Sequence, residues 1–238
     1  MKVTIVGHTH NAAELMIMSK NTRLEMSADL MDNINMMSDD EKKAHLDYMV
    51  NTIKSSWEFF DITFLIEGVS RAFTHQFVRN RQGSYAQQTM RILNMEGFKY
   101  ITGPSILADE AINSEYDAAM KAIDDAYTKL ITMGAKEEDA RGILPTNICT
   151  NIMVKHNLRS LSDMMASRES ERTQNEYRDV VEAMYQACVE KWPWIAPFLR
   201  NHKSYALKKL ESIIHDVYDG THRLIPSLKL IDQVRNAK

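Results

Sequence analysis

Residues 71–91 read RAFTHQFVRNRQGSYAQQTMR, and four of them are arginine. On a helix, Arg71, His75 and Arg79 recur at i, i+4 and i+8, on a face opposite Phe73 and Phe77. Val69, Phe73 and Phe77 also lie four apart, so a helix is expected to run from about Val69 into this stretch, with Gly83-Ser84 breaking it as a loop. Arginine forks grip phosphate in a bidentate manner, and backbone N–H groups at a turn add neutral donors. The stretch reads either as a site for a phosphate-bearing ligand or as a solvated basic face, and spacing alone leaves both open.

Upstream, Lys2 to Val6 reads as a short strand. Ser38 followed by Glu41 fits a capping box opening a helix with Leu46, Met49, Val50 and Ile53 inward. Phe60, Ile62, Phe64 and Ile66 then alternate with Asp61, Thr63 and Glu67, the pattern of a half-buried strand. Downstream, a helix is expected over Glu115 to Met133, with Tyr116, Met120, Ile123, Tyr127 and Leu130 on one face and Gly134 as its stop. Glu137, Glu138 and Asp139 suit the positive end of a short helix that Pro145 closes. Ile148 to Lys155 can be strand or helix. Thr173 and Glu176 fit a second capping box, starting a helix with Val180, Met184 and Cys188 inward that Trp192-Pro193 ends. A last helix carries Leu207, Leu210, Ile214 and Val217 and stops near Gly220. These elements predict one α+β domain over residues 1–200, with a mixed sheet and long helices, and a helical C-terminal extension over 201–238.

Composition limits the function classes. The chain has 238 residues, 44% hydrophobic and 26% charged, as expected of a folded globular protein. A net charge of -3 argues against a general nucleic-acid coat, which needs a basic excess. No apolar run approaches the ~20 residues that cross a bilayer, and MKVTIVGHTH is too short and polar for a signal peptide, so neither nucleic acid nor membrane is expected as a partner and the cytoplasm is the expected compartment. Cys149 and Cys188 make neither a metal pair nor a disulfide framework and are read as lone thiols. His8 and His10 read as a surface turn, with no metal site expected. The sixteen methionines, Met36-Met37 and Met164-Met165 among them, read as core filler.

A second polar cluster lies downstream, with Arg141 and then Asn157, Arg159, Asp163 and Arg168 in HNLRSLSDMMASRE. Arg159 and Arg168 are nine apart, too far to share one helical face. His156, beside Asn157, can touch a ligand or serve the structure.

Together the clusters resemble the flavin-dependent thymidylate synthase family, whose signature can be written R-H-R-x-x-S-x-N-x-x-S-x-R. The chain reads RNRQGSYAQQTMR from Arg79 to Arg91. ARGILP from Ala140 to Pro145 is similar to the family's A-R-x-x-L-P. Asn157 to Leu161 is similar to its N-x-R-S-L, Arg168 falls at the spacing of a further family arginine, and Gln174-x-Glu176 matches an A-Q-x-E element with Thr173 in place of alanine.

The resemblance implies a homotetramer with active sites between subunits. It implies FAD held by Arg79, Asn80, Arg81, Asn157 and Arg159, with Ser55 and Asp163 as weaker candidates. It implies a nucleotide site lined by Gln76, Ser84, Gln87, Thr89, Arg91 and Arg141, with Arg168 against the pyrimidine edge as the catalytic group, where a fixed guanidinium stabilises developing negative charge. The implied reaction carries a one-carbon unit from methylenetetrahydrofolate to C5 of dUMP; reduced flavin supplies the hydride, and NADPH reduces the flavin. Neither Cys149 nor Cys188 lies in a cluster, which fits a reaction with no cysteine nucleophile.

Among the departures from the pattern are Asn80, which replaces the signature histidine, and Thr89, which replaces serine. KSSWEFFDITF resembles the family's H-x-[ST]-P-x-E-H-x-x-F-T-F but lacks both histidines. Asp163 adds negative charge near the expected flavin. These departures motivate alternatives: C5 hydroxymethylation of dUMP or dCMP, a catalytically silent nucleotide- and flavin-binding homologue, or nucleic-acid binding through Arg71, Arg79, Arg81 and Arg91.

Overall fold

A computed structural model describes residues 1–22, 26–170 and 172–200. Its centre is a four-stranded sheet in the order β1-β2-β4-β3, formed by β1 (Lys2–His8), β2 (Asp61–Ser70), β3 (Ser84–Gln87) and β4 (Cys149–Asn157). All three pairings are antiparallel, so the α+β class holds while the expected mixed sheet is an antiparallel one. Alternation fixes which face of a strand is buried but carries no strand direction, which is why the sequence left this open.

The alternation read in β2 is borne out. Ile62, Phe64 and Ile66 are fully buried, as is Val154 opposite Phe64 on β4. The ambiguous segment from Ile148 is strand β4, with Thr150, Ile152, Val154 and His156 inward and Met153 and Lys155 exposed. A two-residue bulge at Glu67-Gly68 interrupts the β2–β4 register, and Gly68 takes φ +69° there, a conformation that glycine adopts without a Cβ clash.

The described helices lie around the sheet, those nearest it packing on the face of Ile62, Phe64 and Val154. They include α1 (Ala12–Lys20), α2 (Ala28–Met36), α3 (Asp39–Val50), α4 (Arg71–Phe77), α5 (Pro104–Leu107), α6 (Glu110–Thr132), α7 (Glu137–Ala140), α8 (Leu158–Arg168), α9 (Asn175–Lys191) and α10 (Ala196–Leu199). The capping box at the start of α3 is present: Ser38 Oγ accepts from the Glu41 N–H and the Glu41 carboxylate accepts from the Ser38 N–H. α6 begins five residues before the expected Glu115 because the Asp109 side chain accepts from Ala111 and Ile112 N–H and caps it. Met164 and Met165 are core as expected, whereas Met36 is 83% exposed at the end of α2. The helix expected over Leu207 to Val217, and the whole 201–238 extension, lie outside the described residues. No described helix is long and apolar enough to cross a membrane.

Two local expectations are corrected, and both corrections organise the site. The helix does not begin at Val69. Val69 and Ser70 finish β2, and the Ser70 hydroxyl accepts from the Phe73 N–H as the N-cap of α4. The helix ends at Phe77, so Arg79 lies beyond it and cannot share a helical face with Arg71 and His75. The second capping box is also absent, since α9 starts after Gln174 with no side-chain cap. Glu176 is engaged elsewhere, accepting from the Ser70 N–H at 2.6 Å and the Ser70 hydroxyl at 2.5 Å.

Candidate active site

The Arg79–Arg81 segment is a tight turn between α4 and β3. The Asn80 N–H donates to the Phe77 carbonyl, and the Asn80 carbonyl accepts from the Gly83 N–H at 3.2 Å and the Tyr85 hydroxyl at 2.7 Å. The Asn80 side chain folds back on the turn, its Oδ1 accepting from the Gln82 N–H at 3.3 Å in an Asx-type turn. Arg79 and Arg81 are exposed and have no ion-pair partner among the described residues.

The start of α8 lies next to this turn. Asn157 is its N-cap, its Oδ1 accepting from the Ser160 N–H at 2.8 Å. Arg159 and Asp163, one helical turn apart, pair with Glu58 at 2.6 Å and Lys54 at 3.1 Å on the 3-10 turn Lys54–Phe59, which also carries Ser55. Lys54 therefore offsets the extra charge of Asp163. Buried His156 joins turn to helix: its Nδ1 is 3.0 Å from the Ser160 hydroxyl and its Nε2 is 3.5 Å from the Tyr85 hydroxyl. The residues expected to hold a cofactor thus gather at one end of the sheet.

The residues expected to hold a nucleotide divide into groups. Gln76 donates to Gln174 Oε1 at 2.6 Å, linking α4 to the entry of α9. Gln87 donates to the buried Thr74 hydroxyl at 2.8 Å. Arg91 and Arg141 both reach Glu138, the first at 3.8 Å to its carboxylate and the second at 3.2 Å to its carbonyl, and the Thr89 hydroxyl accepts from the Arg91 N–H. Arg168 lies with its guanidinium 4.7 Å from the Tyr177 ring centroid, and its buried Nε has no hydrogen-bond partner. An open cavity of about 500 Å³ beside Arg168 is bounded by Pro104, Asn175, Arg178 and Arg200, and none of the other expected site residues lines it. Ser84 stands apart. It pairs with exposed Lys155, whereas Gln87 pairs with buried Ile152, so the two side chains leave β3 on opposite faces.

Arg71, one of the four arginines of the 71–91 stretch but outside the family motif, lies close to Arg141. Its buried Nε lacks a hydrogen-bond partner, and burial, reinforced by Arg141, holds its guanidinium below the usual value. Its position just after an N-cap serine was readable, but its closeness to Arg141 depends on the fold. Tyr177 is the same kind of case, with a buried unpartnered hydroxyl that burial pushes upward in pKa while Arg168 opposes the shift. Cys149 and Cys188 are free thiols, and burial raises Cys188 to about 12, far from a nucleophilic thiolate. Among the described residues no three His, Cys, Asp or Glu side chains converge on a metal position.

The antiparallel sheet thus carries arginines from several elements on one side, two of which, Arg71 and Arg168, have a buried Nε without a hydrogen-bond partner. Residues 4–194 match the family described as thymidylate synthase complementing protein, and the chain belongs to that family. It is 33% identical over 198 residues to the flavin-dependent thymidylate synthase of Pyrococcus abyssi, a match covering 80% of each chain. It is 35% identical over 192 residues to that of Sulfurisphaera tokodaii, covering 78% of this chain and 72% of the relative. It is 40% identical over 127 residues to that of Geobacter sulfurreducens, covering 52% and 55%.

Proposed function

We propose that the protein is a flavin-dependent thymidylate synthase, transferring a one-carbon unit from methylenetetrahydrofolate to C5 of dUMP with FAD bound and NADPH as reductant. The observation that carries this reading is the set of unsatisfied guanidinium groups in a chain of this family. Arg71 and Arg168 have buried N–H groups without partners, and Arg79 and Arg81 project from a turn without counter-ions among the described residues. A buried donor left unpaired costs about 1–3 kcal/mol, a cost that an anionic ligand removes. The names of the relatives favour methylation over hydroxymethylation, and dUMP over dCMP.

The donor set fits FAD. Arg79 and Arg81 offer bidentate forks to its phosphates, the free amide nitrogens of Asn80 and Asn157 remain as donors, and Arg159, its charge offset by Glu58, adds further N–H groups rather than net charge. When bound, the flavin supplies the hydride that converts the one-carbon unit to a methyl group. Arg91 and Arg141 suit the nucleotide phosphate, and Gln76, Gln87 and Thr89 its polar edges. Arg168, stacked on Tyr177, keeps its fork fixed, so it stabilises negative charge developing on the pyrimidine without reorganising. Ser84, on the other face of β3, reaches a nucleotide only through another subunit. This supports the homotetramer, as does the outer face of the sheet, where Val6 and Met153 are exposed among the described residues. A cytoplasmic setting suits this substrate pool.

The test is to incubate the protein with dUMP, methylenetetrahydrofolate, NADPH and FAD and to weigh the nucleotide product. A gain of one methyl group supports the reading. A hydroxymethyl mass, or protein that gains no flavin absorbance on reconstitution, overturns it.

A further inference from the structure

The turn carrying Arg79 and Arg81 and the start of α8 carrying Asn157 and Arg159 come from distant parts of the chain, and one chain of polar contacts joins them. The Tyr85 hydroxyl has one proton, and the 2.7 Å contact to the Asn80 carbonyl takes it in preference to the 3.5 Å contact to His156 Nε2. The tyrosine oxygen can then only accept from the imidazole. Ser160 Oγ lies 3.0 Å from His156 Nδ1 and 3.1 Å from the Asn157 carbonyl, and its single proton serves one of them. If that proton goes to Asn157, Nδ1 must carry the ring proton and Nε2 faces an oxygen lone pair. If it goes to Nδ1, every proton finds an acceptor: Ser160 to His156, His156 to Tyr85, Tyr85 to Asn80. The second arrangement leaves no buried group unpaired, which selects the Nε2–H tautomer.

The packing leaves this relay little room to shift. The His156 and Tyr85 rings meet edge-on at 6.0 Å between centroids, and Phe77 meets Tyr85 at 5.4 Å. Gly83 lies against both, for a Cβ there would fall 2.6 Å from His156 Cε1 and 2.8 Å from the Tyr85 hydroxyl. The ring is 1% exposed, and burial holds its pKa at about 4, so it stays neutral.

We propose that His156 and Tyr85 form a strut that positions the Arg79–Arg81 turn against the first turn of α8, setting the spacing between the two groups that hold the flavin. Both are positioning residues; neither touches the ligand. The proposal rests on the flavin-binding reading of Arg79, Arg81, Asn157 and Arg159.

The experiment compares wild type with Tyr85→Phe, His156→Phe and His156→Gln, measuring the FAD dissociation constant by flavin fluorescence, thermal midpoints, and kcat and KM for dUMP. Tyr85→Phe removes one hydroxyl and leaves the ring packing, so it remains folded; His156→Gln keeps an amide N–H near the Nε2 position. The expected result is FAD binding weakened about tenfold in Tyr85→Phe and His156→Phe and largely restored in His156→Gln. At saturating FAD, kcat and KM for dUMP return to within about twofold of wild type, because the nucleotide groups are untouched. Lowered thermal midpoints with unchanged FAD affinity in the folded variants would mean a purely structural role and overturn the strut alone. Wild type that takes up no FAD overturns the flavin reading and the strut together.

Discussion

The carboxylate of Glu176 bridges to both the N–H and the hydroxyl of Ser70, at 2.6 Å and 2.5 Å, pinning the start of α9 to the junction of β2 and α4. Through Ser70 it also holds the cap of α4, since the same hydroxyl accepts from Phe73. Gln174 extends the contact to Gln76, so a single cluster sets the angle at which α4 presents Arg71 and Gln76. Replacing Glu176 with alanine removes a charged acceptor from two donors. A loss of about 2–3 kcal/mol in unfolding free energy is expected, measured by denaturant titration, with a smaller loss in Glu176→Gln.

Arg168→Ala is expected to abolish turnover while FAD remains bound, because Arg168 lies on Tyr177 and is not among the residues assigned to the flavin. Flavin absorbance of the purified variant and product formation under saturating substrate test the two halves separately. Arg168→Lys should recover little, since a point charge on a flexible stem does not reproduce a planar fork stacked on a ring.

The pH dependence of stability should carry the signature of His156. Its folded pKa of about 4 lies below the unfolded value near 6.5, so between these values the unfolded chain binds more protons. The stability present above about pH 6.5 therefore declines as pH falls toward 4, by a total of order 3 kcal/mol from this group. His156→Gln should flatten that part of the curve relative to wild type in thermal or denaturant unfolding at pH 4.5 and pH 7.5. Parallel curves for the two proteins would contradict the assignment.

Gly83→Ala places a methyl against the His156 and Tyr85 rings at distances no relaxed contact allows. The rings are packed from behind by Phe77, so accommodation is expected to cost about 1–3 kcal/mol and to weaken FAD binding, whereas Gly142→Ala, with nothing within 4 Å, should be neutral in both assays.

The sequence carried the α+β class, the buried face of β2, the capping box at Ser38 and the long helix α6, because each rests on local periodicity or a local cap. It also carried the arginine clusters as types and spacings. The start of α4 differs from the expectation because Val69, Phe73 and Phe77 sit four apart while Val69 belongs to a strand; burial from both elements imitates one helix. The role of Glu176 was misread for a related reason. A Thr-x-x-Glu spacing describes a possible local bond, and Ser70, 106 positions away, supplied a better donor pair. Arg71 beside Arg141, and His156 between Tyr85 and Ser160, arise only when β2, β3 and β4 are in register.

The opposed faces of β3 have a genetic consequence. Ser84 points one way and Gln87 the other, so in the proposed homotetramer one short strand would serve two neighbouring sites. A variant blocked at Ser84 and another blocked at Gln87 then damage different halves of a shared site. Coexpressed, two alleles that each fail alone should complement, because some mixed assemblies contain a site built from both undamaged halves.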